Sequence, residues 1–564
     1  MRNAILVKKK FREFYLPTIL MTASGSLSII IDSIIVGNIL GDNELAAVNL
    51  IMPLSLCFTA LCGLFGIGSA TCISLFKGRM DSENADKCLT LSTVSWVLFS
   101  IVGAVVGIFA TAPVCKFLSG SSGLNHLVYD YLKVYLIGAS ATFATMIFPH
   151  IIKADGMPEL SSRALIISNA SNLIFDIVFM KFFDMGIGGA ALATVVGNII
   201  GTLILFYYFI SPKRNVHFVK ISFSSVKLYG DMFKMSVSSI FGQGLMFGKM
   251  WIFNMIISKT AGQAGLTAFS VCTSCLSFVS MFIAGGAQTM IPMVSAFTGA
   301  EDHTATKLTV KQAFKLVLGC CVVITVLFEI FPTVILLAYG IKSAKVLKVG
   351  ISAVRLFSLS FVFIGFNFMF MYYSQAKKMP AFSMTICALE GFFVIVPLGF
   401  LLSLVLKADG IWLSYVINGI IVSAFIVLNS RRIVKKSDGE LYSLFMIKKA
   451  DEDTFEMSVD VSEEKEISQA VDEISQKILK TDQKTKELLE NMFSLSRIAY
   501  SDKSGLKSDD TVDIIVRKNK VFFKDMGTDY RLLKDCDLMT KIKDHNDSYE
   551  HTLMIGINYS TVTL

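Results

Sequence analysis

Apolar stretches of membrane-spanning length recur along most of the chain. A helix needs roughly 20 consecutive, mostly apolar residues to cross the hydrocarbon core of a bilayer. The 564-residue chain is 53% hydrophobic and only 17% charged. Such a composition, with stretches of this length, predicts an all-α polytopic membrane protein. We expect twelve transmembrane helices, at about 14–39, 46–76, 89–112, 130–152, 162–182, 187–210, 236–258, 267–298, 312–339, 350–374, 382–406 and 410–430.

Basic residues are concentrated in alternate loops, and such loops favour the cytoplasm. They include Lys8–Arg12 before the first span, Lys153 and Arg163 after the fourth, and Arg431–Lys436 after the last. Both termini are therefore predicted to be cytoplasmic, in a multi-pass protein of the plasma membrane. No cleavage site follows the N-terminal basic run, so the first span should remain as an anchor. The formal net charge of +8 is thus a topology signal and does not indicate a nucleic-acid partner.

The hydrophobic pattern changes near residue 437. Beyond it, acidic residues and short alternating apolar runs replace the spanning stretches, which indicates a linker and a soluble domain. The patterns then follow the order strand, helix, helix, hairpin, helix, strand, with the hairpin turning at Lys518-Asn519, as in an α/β sandwich. The expected divisions are a cytoplasmic N-terminus (1–12), two membrane halves (13–220 and 221–436), a linker (437–456) and a C-terminal domain (457–564).

The membrane part repeats itself. GDNELAAVN at 41–49 aligns without gaps with GQAGLTAFS at 262–270. KADGMPE at 153–159 matches QAKKMPA at 375–381 in nearly the same register. Because each half has an even number of spans, the two halves should be related by an axis along the membrane normal. This arrangement is typical of secondary transporters.

Two carboxylates within the spans of the first half have no carboxylate at the matching positions of the second half. An ionised group at the bilayer centre costs on the order of 3 kcal/mol, so it is usually functional or neutralised by a partner. Asn172 and Asp176 are four residues apart, which places them on one face of a helix. Asp32 corresponds to Phe253 in the second half, and Asp176 corresponds to Leu398. An ion site in the first half is therefore expected; the alternative is an aspartate that caps a kink or bonds a neighbouring amide.

Several longer motifs accompany this pattern. They are Pro17, IDSIIVGNILGDNELAAVNLIMP at 31–53, GIGSATCISLFKGR at 66–79, KADGMP at 153–158, SNLIFD at 171–176 and MGIGGAALAT at 185–194. In these motifs, its span number and its repeat, the chain from about residue 10 to 435 resembles the multidrug and toxic compound extrusion (MATE) transporters. The resemblance implies two six-helix, pseudo-symmetric lobes in a V-shaped bundle with alternating access. It also implies export driven by inward movement of Na+ or H+, and no enzymatic activity.

The resemblance further implies which residues bind the coupling ion. That family uses an aspartate on the first helix, an Asn-x-x-x-Asp pair on the fifth and a threonine on the sixth; the matching residues are Asp32, Asn172, Asp176 and Thr194. Two carboxylates close together in a low-dielectric site cannot both stay ionised without a cation or a shared proton. Oxygen ligands suit a hard ion, so the same four residues would form the metal site if the ion is Na+. No other cofactor is expected.

The second half departs from part of that family. One subgroup has acidic residues on the seventh and tenth helices, where this chain has Gln243 and no carboxylate within 356–374. Coupling through the second half is therefore not expected. Gln243, Met290 and Glu390 are instead predicted to line the cavity, with a membrane-boundary position for Glu390 as an equal alternative.

The tail resembles the histidine-kinase-like ATPase fold, especially the anti-sigma-factor kinases. Glu490 matches the glutamate of the Glu-x-x-x-Asn motif, and Asp525-Met526-Gly527 matches the Asp-x-Gly that grips adenine. However, Ser494 replaces the asparagine that holds Mg2+, and no glycine-rich lid supplies phosphate-cradling amides. A degenerate, non-catalytic domain is expected, with Glu490, Ser494, Asp525 and Gly527 as the remnant of a nucleotide site.

Together these features favour an antiporter that exports small amphipathic or cationic drugs or metabolites. The expected partners are that substrate, membrane lipid and a cytoplasmic protein bound through the tail. Two alternatives remain open. A flippase for a lipid-linked precursor would be favoured by a cavity with several basic residues, but few lie within the spans. A membrane-anchored signalling protein would use the tail as its output. An ATP-driven pump is disfavoured, since no GxxxxGK[ST] motif occurs.

Overall fold

The structure is a computed structural model, and it describes residues 4–119, 124–339, 344–449, 454–477, 483–517, 520–533, 537–545 and 548–563. Some side chains within these ranges, including that of Gln243, lie outside the description, as do residues 518–519 of the predicted hairpin and 450–453 of the predicted linker. Within the described part, nine helices are long and apolar enough to cross a membrane, or up to eleven if each of two bent pairs counts as one span. The remaining expected span, 236–258, the seventh along the chain, lies in a helix with several undescribed side chains.

The first half, here called the N-lobe, contains eight α-helices. They are α1 (Ile5–Ile39), α2 (Asp42–Gly78), α3 (Ser82–Phe109), α4 (Thr111–Ser119), α5 (Asn125–Ile137), α6 (Ala139–Ala154), α7 (Pro158–Ile177) and α8 (Gly186–Ile210). Helix α1 begins at Ile5, so the basic run expected in a separate N-terminal segment forms its first turns; Lys and Arg are good helix formers. Helices α5 and α6 form one span, bent by 56°.

The second half, the C-lobe, also contains eight α-helices. They are α9 (Lys227–Gly299), α10 (His303–Ile330), α11 (Pro332–Ala338), α12 (Ala344–Ser358), α13 (Phe361–Ala376), α14 (Pro380–Ala388), α15 (Ile395–Leu406) and α16 (Ala408–Lys436). Helix α9 corresponds to α1 and α2 together. It breaks at Gly262 (φ +57°), and the equivalent Gly41 between α1 and α2 also has a positive φ of +117°. Both halves therefore turn at a glycine, the residue that adopts this conformation without strain.

The two lobes pack closely at one end of the bundle. There α2 crosses the second half of α9, and Gly78 of α2 lies against Gly299 of α9. A Cβ on Gly78 would lie 2.0 Å from the carbonyl oxygen of Ala296, and one on Gly299 would lie 2.2 Å from that of Leu75. No larger residue fits at either position while the backbones remain this close. The lobes are thus closed at this end, which we call the tail end because the C-terminal domain packs against it.

The C-terminal domain, residues 454–563, is called the tail domain. Its elements are β3 (Thr454–Asp460), α17 (Glu464–Lys477), α18 (Gln483–Ser504), β4 (Thr511–Arg517), β5 (Lys520–Asp525), α19 (Asp537–His545), β6 (Glu550–Met554) and β7 (Ile557–Thr563). The five strands form an antiparallel sheet with the order β3-β4-β5-β7-β6. Strand β4 is buried along almost its whole length, because α17 and α18 cover a core that includes Ile514, Leu489 and Phe493.

A short hairpin connects the membrane bundle to the tail domain. It consists of β1 (Leu441–Tyr442) and β2 (Ile447–Lys448), within the segment predicted to be a linker. The hydroxyl of Tyr373 donates to the carbonyl of Phe445 at 2.5 Å, and Nζ of Lys377 donates to that of Met446 at 2.7 Å. The ring of Phe445 also packs 5.0 Å from that of Phe314. The hairpin is therefore fastened to the C-lobe.

Candidate functional site

The four residues predicted to bind the coupling ion come together in the N-lobe. Asp32 lies on α1, and its carboxyl group is close enough to that of Asp176 on α7 for the two to interact electrostatically. Asn172, one turn earlier on α7, donates through Nδ2 to the hydroxyl of Thr194 on α8 at 3.3 Å. Three helices thus contribute two carboxylates, an amide and a hydroxyl to one place.

Small residues allow these helices to approach closely. A Cβ on Gly197 of α8 would lie 2.7 Å from the carbonyl oxygen of Ser168 and 3.0 Å from Cβ of Asn172. Next to this contact on the same side of α7, Nδ2 of Asn169 donates to the hydroxyl of Ser24 on α1 at 3.1 Å. Close backbone packing through small residues is typical of helix contacts in membranes. It brings the functional groups of α1 and α8 to the same face of α7.

The carboxylate of Asp176 is buried and lacks a protein donor among the residues that the structure describes. Its side chain is 0% exposed, and within the described part of the chain neither carboxylate oxygen receives a hydrogen bond from an N–H or O–H group. Buried carboxylates are normally paired or hydrogen-bonded. Helix α7 passes directly after Asp176 into a π-helical turn, Val178–Phe182, a distortion that is frequent at functional sites.

Two further residues lie beside the site. The sequence analysis did not predict either of them. The Tyr131 hydroxyl on α5 interacts with Thr194 and lies close to both carboxylates. The hydroxyl of Ser28 donates to Oδ1 of Asn172 at 3.5 Å. Tyr131 is near the expected end of the fourth span, where a tyrosine ordinarily indicates the membrane interface. Ser28 is four residues before Asp32, so the helical period was the one signal that could have found it.

The donor set fits a small monovalent cation. Two carboxylates that face one another repel unless a cation or a proton lies between them, and the amide and hydroxyl oxygens of Asn172 and Thr194 are the kind of ligand that hard cations prefer. When bound, such a cation supplies the positive charge that allows both carboxylates to stay ionised. Asp32 is only partly buried, so an ion can reach the two carboxylates from outside the N-lobe on the side of Asp32.

Comparison with known proteins decides the family. The MatE family model matches residues 17–178 and again residues 239–401, together more than half of the chain. The chain belongs to the MatE family. The two matches also confirm the internal repeat, since one model fits each half of the membrane part in turn. Members of this family are transporters and not enzymes, as the resemblance implied.

Relatives of this MatE protein carry the same family signature at low identity. The multidrug export protein MepA of Staphylococcus haemolyticus is 22% identical over 371 residues, which cover 63% of this chain and 80% of MepA. MepA of Staphylococcus aureus strain MRSA252 is 21% identical over 415 residues, covering 73% and 90%. The chain is thus a multi-pass membrane transporter of the MatE family.

Solved structures show the same fold. An outward-facing multidrug resistance MATE family transporter of the MOP superfamily superposes with a TM-score of 0.70, at 21% identity, over 77% of this chain and 97% of that one. A MOP superfamily transporter from Pyrococcus furiosus, described as having a binding pocket of reverse polarity, gives 0.69 at 19% identity with the same coverage. The membrane bundle of the MatE protein therefore has the fold of these transporters.

The C-lobe of the MatE protein contains a different polar cluster. Glu390 is 5% exposed, at a π-helical turn, and accepts from Nδ2 of Asn367 at 2.9 Å. Lys249 on α9, 6% exposed, lies near it with Nζ 5.3 Å from the centre of the Tyr415 ring. Glu390 is thus inside the C-lobe. Met290 is fully buried in the C-lobe core, and the side chain of Gln243 lies outside the described residues.

The tail-domain residues predicted as a nucleotide remnant occupy two environments. Glu490 and Ser494 are exposed on α18, where the hydroxyl of Ser494 donates to its own helix at 2.8 Å. Asp525 and Gly527 are buried. Besides the Tyr530 hydroxyl, the Asp525 carboxylate accepts from the side chains of Ser496 and Asn558 and from the Gly527 amide, at 2.8–2.9 Å. Burial raises the pKa of Asp525 although these donors oppose it.

Proposed function

We propose that this MatE protein exports small organic molecules by antiport with Na+ or H+, which bind between Asp32 and Asp176. The observation that carries the proposal is the pair of carboxylates itself: Asp176 is completely buried and lacks a donor in the described part of the chain, and the carboxylate of Asp32 faces it. A buried charge pair of the same sign has no structural benefit. It is useful where a positive charge arrives and leaves during each cycle.

Helix α1 links this site to the other lobe. Asp32 lies towards one end of α1, and the hydroxyl of Thr22, about three turns earlier, donates to the carbonyl of Met281 in the C-lobe at 3.1 Å. When the two carboxylates are neutralised, α1 and α7 approach one another more easily. Such a shift pulls on the contact between the lobes, so the two lobe arrangements differ in their affinity for the ion, as coupling requires.

A cavity beside the same helix is suited to amphipathic substrates. It has a volume of about 300 Å³ and lies between Leu27 of α1 and the C-lobe residues Phe278, Met281, Phe328 and Tyr339. Met and aromatic side chains adapt to many shapes. None of the described lining residues is Lys or Arg, which supports an organic substrate over an anionic lipid-linked precursor.

The tail end of the bundle is proposed to face the cytoplasm. Loops rich in Lys and Arg lie at this end, as the positive-inside rule requires, and both described ends of the chain are there. With the lobes closed at the tail end, the structure then corresponds to a state closed to the cytoplasm, in the plasma membrane.

Transport in proteoliposomes tests the coupling. Export of a fluorescent organic cation such as ethidium is measured under an imposed Na+ or pH gradient, for the parent, Asp32→Asn and Asp176→Asn. Asp184→Asn is the matched control, because Asp184 is exposed and follows the same helix. We expect gradient-driven export to fall at least about 100-fold in the two site variants, as is common when an essential ion contact is lost. Unchanged export by Asp176→Asn would refute the assignment.

We also propose that the tail domain restrains the opening of the lobes, because it contacts both of them at the tail end. On the C-lobe side, Lys524 pairs with Asp302 at 2.6 Å, and Arg517 donates to the carbonyl of Glu301 at 2.6 Å. The Lys524–Asp302 pair is buried on both sides. Removing one partner of such a pair leaves an uncompensated charge in a buried site, which is costly.

On the N-lobe side, different tail residues make the contacts. Lys9 pairs with Asp510 at 3.1 Å, and Nζ of Lys10 donates to the carbonyl of Gly556 at 3.3 Å. Arg531 also bonds the side chain of Asn215, beyond α8. Since one rigid domain holds both lobes here, the lobes separate at the tail end only if one of the two contacts is released.

Spin-label distances test this restraint in the full chain. Arg79 and Lys378 are exposed in tail-end loops of opposite lobes, so labels there report the separation of the lobes. We expect Lys524→Met to increase the population with a long distance, whereas Lys520→Met, an exposed lysine on the same strand, leaves the distribution as in the parent. The exposed Cys57 is replaced beforehand. Identical distributions in both variants would refute the restraint.

A signalling role in which the tail domain turns over nucleotide is less favoured. Donors within the domain already bind the Asp525 carboxylate that would hold adenine.

A further inference from the structure

A buried lysine lies at the contact between the lobes without a counter-charge in the described part of the chain. Lys153, at the end of α6, is 2% exposed, and its ammonium donates to Oε1 of Gln288 on α9 at 3.1 Å. No carboxylate among the described residues forms an ion pair with it. A neutral amide replaces only part of the hydration that an ammonium loses on burial, so this environment is incomplete without an anion.

The lysine lines a small cavity on the pseudo-symmetry axis. The cavity has a volume of about 70 Å³, enough for a carboxylate group or a few waters. Its lining includes three pairs that match in the register of the internal repeat, namely Ile67 and Gln288, Ala70 and Ile291, and His150 and Tyr372. Each pair combines one residue from each lobe, so the cavity exists in this form only while the lobes are closed at the tail end.

Its charge is one-sided. Lys153 is basic, the side chains of His150, Gln288 and Tyr372 are polar, and the remaining lining residues in the described part of the chain are apolar. We propose that this cavity binds a carboxylate group, with Lys153 as its ion-pair partner and His150 beside it. An ammonium and a carboxylate form a short, charge-assisted hydrogen bond, which completes the environment of the lysine.

The position of the cavity gives this binding a role in transport. This part of the inference rests on the proposed export function. A substrate that carries a carboxylate enters while the lobes are apart at the tail end and meets Lys153 there. Closing the lobes then buries the ion pair, so the carboxylate stabilises the closed arrangement by its differential affinity. Zwitterionic or acidic amphipathic molecules are thereby the substrate class that this site selects.

Binding without any gradient separates this inference from the coupling mechanism. The melting temperature of the purified full-length protein is measured in detergent with sodium benzoate or with benzamide, its neutral isostere, at constant ionic strength. We expect benzoate, but not benzamide, to stabilise the parent and Lys153→Arg. In Lys153→Met the apparent affinity for benzoate should be weaker by about tenfold or more, the effect of one lost charge-assisted contact. Lys378→Met, an exposed lysine in a C-lobe loop at the same end, should behave as the parent.

Equal responses to benzoate in the parent and Lys153→Met, or no response in the parent, would overturn the proposal. A second measurement distinguishes a substrate carboxylate from a free anion. Binding of rhodamine B is compared with binding of its ethyl ester, which lacks the free carboxylate. A substrate site predicts that Lys153→Met weakens binding of the acid more than that of the ester. If benzoate binding depends on Lys153 but both dyes lose affinity equally, the site takes a free anion and the substrate assignment is wrong.

Discussion

Lys524 of the tail domain and Asp302 at the start of α10 form an ion pair of 2.6 Å in which neither side chain is exposed. Asp302 also caps α10 by accepting from the amide of Ala305 at 2.9 Å. At the position that the repeat makes equivalent in the N-lobe, Asp81 caps α3 in the same way, but its second oxygen accepts from the side chain of Asn84 at 2.6 Å. The tail domain thus recognises one of two repeated caps.

This relationship predicts the effect of removing the charge at the cap. Asn caps a helix about as well as Asp, so Asp302→Asn should keep α10 intact while removing the carboxylate that pairs with the buried Lys524. We expect docking of the tail domain to weaken by about 3 kcal/mol, the usual cost of breaking a buried pair. Spin labels at the exposed Lys311 and Lys520 should then give a broad distance distribution instead of a narrow one. Asp81→Asn should leave it narrow; broadening in both variants would show that the cap, not the ion pair, is responsible.

The hydroxyl of Thr194 predicts a second effect, on ion affinity. Thr194→Val keeps the shape of the side chain but removes one oxygen from the proposed coupling site. We expect the Na+ concentration for half-maximal export, or the H+ concentration in Na+-free buffer, to rise about tenfold. Thr202→Val is the control, since the hydroxyl of Thr202, two turns further along α8, donates to the carbonyl of Asn198 at 2.7 Å. An unchanged half-maximal concentration in Thr194→Val would remove Thr194 from the site.

The glycine crossing predicts how closure can be blocked. A Cβ on Gly299 would meet the carbonyl oxygen of Leu75 at 2.2 Å, and a backbone atom cannot rotate away as a side chain can. Gly299→Ala should therefore hold the lobes apart at the tail end and stop export, with a longer distance between labels at Arg79 and Lys378. Gly319→Ala on α10 has nothing within 4 Å of the new Cβ and should stabilise the helix by up to about 1 kcal/mol. Export by Gly299→Ala at the parental rate would contradict the closed crossing.

Asp155, in the loop between α6 and α7, predicts a pH dependence of stability. Burial raises the pKa of its carboxyl to about 6, although the backbone amide of Asn215 and the charge of Lys77 oppose the shift. The folded protein holds this proton more tightly than the unfolded chain. Protonation of Asp155 therefore makes its full contribution to the free energy of unfolding below pH 4. This contribution is lost as the pH rises through 6, by about 3 kcal/mol at most.

An amide at this position should remove that dependence. Oδ2 of Asp155 accepts from the Tyr208 hydroxyl and the Asn215 amide, both at 2.8 Å, while Oδ1 has no partner in the described part of the chain. In Asp155→Asn, the amide oxygen can accept the two hydrogen bonds that Oδ2 accepts in the parent, and the NH2 group takes the place of Oδ1. Thermal unfolding between pH 4 and 7 should show a flatter profile for this variant than for the parent. The same slope in both would assign the pH dependence to other groups.

Much of the proposed coupling site followed from spacing and family resemblance. Asn172 and Asp176 share a helix face by their separation alone, and the resemblance added Asp32 and Thr194; the structure brings all four together. Tyr131 was not predicted, because its approach depends on how α5 packs against α8. Spacing along one helix carries no information about that contact.

The docking of the tail domain was also beyond the sequence. Lys524 and Asp302 lie far apart along the chain, and each taken alone is an ordinary charged residue that should remain in water. Only the folded arrangement buries both. The hairpin within the predicted linker is similar, since two-residue strands leave almost no alternating pattern and this one depends on Tyr373 and Lys377 of α13 and the loop that follows it.

The fastening of that hairpin to the C-lobe has a mechanical consequence. Because Phe445 and Met446 are anchored on one lobe, the tail domain moves with that lobe as a single body, and each rocking step displaces it against the other. A protein that recognised the face then uncovered around Gly556 would sense how often the transporter turns over, rather than how many copies the membrane contains.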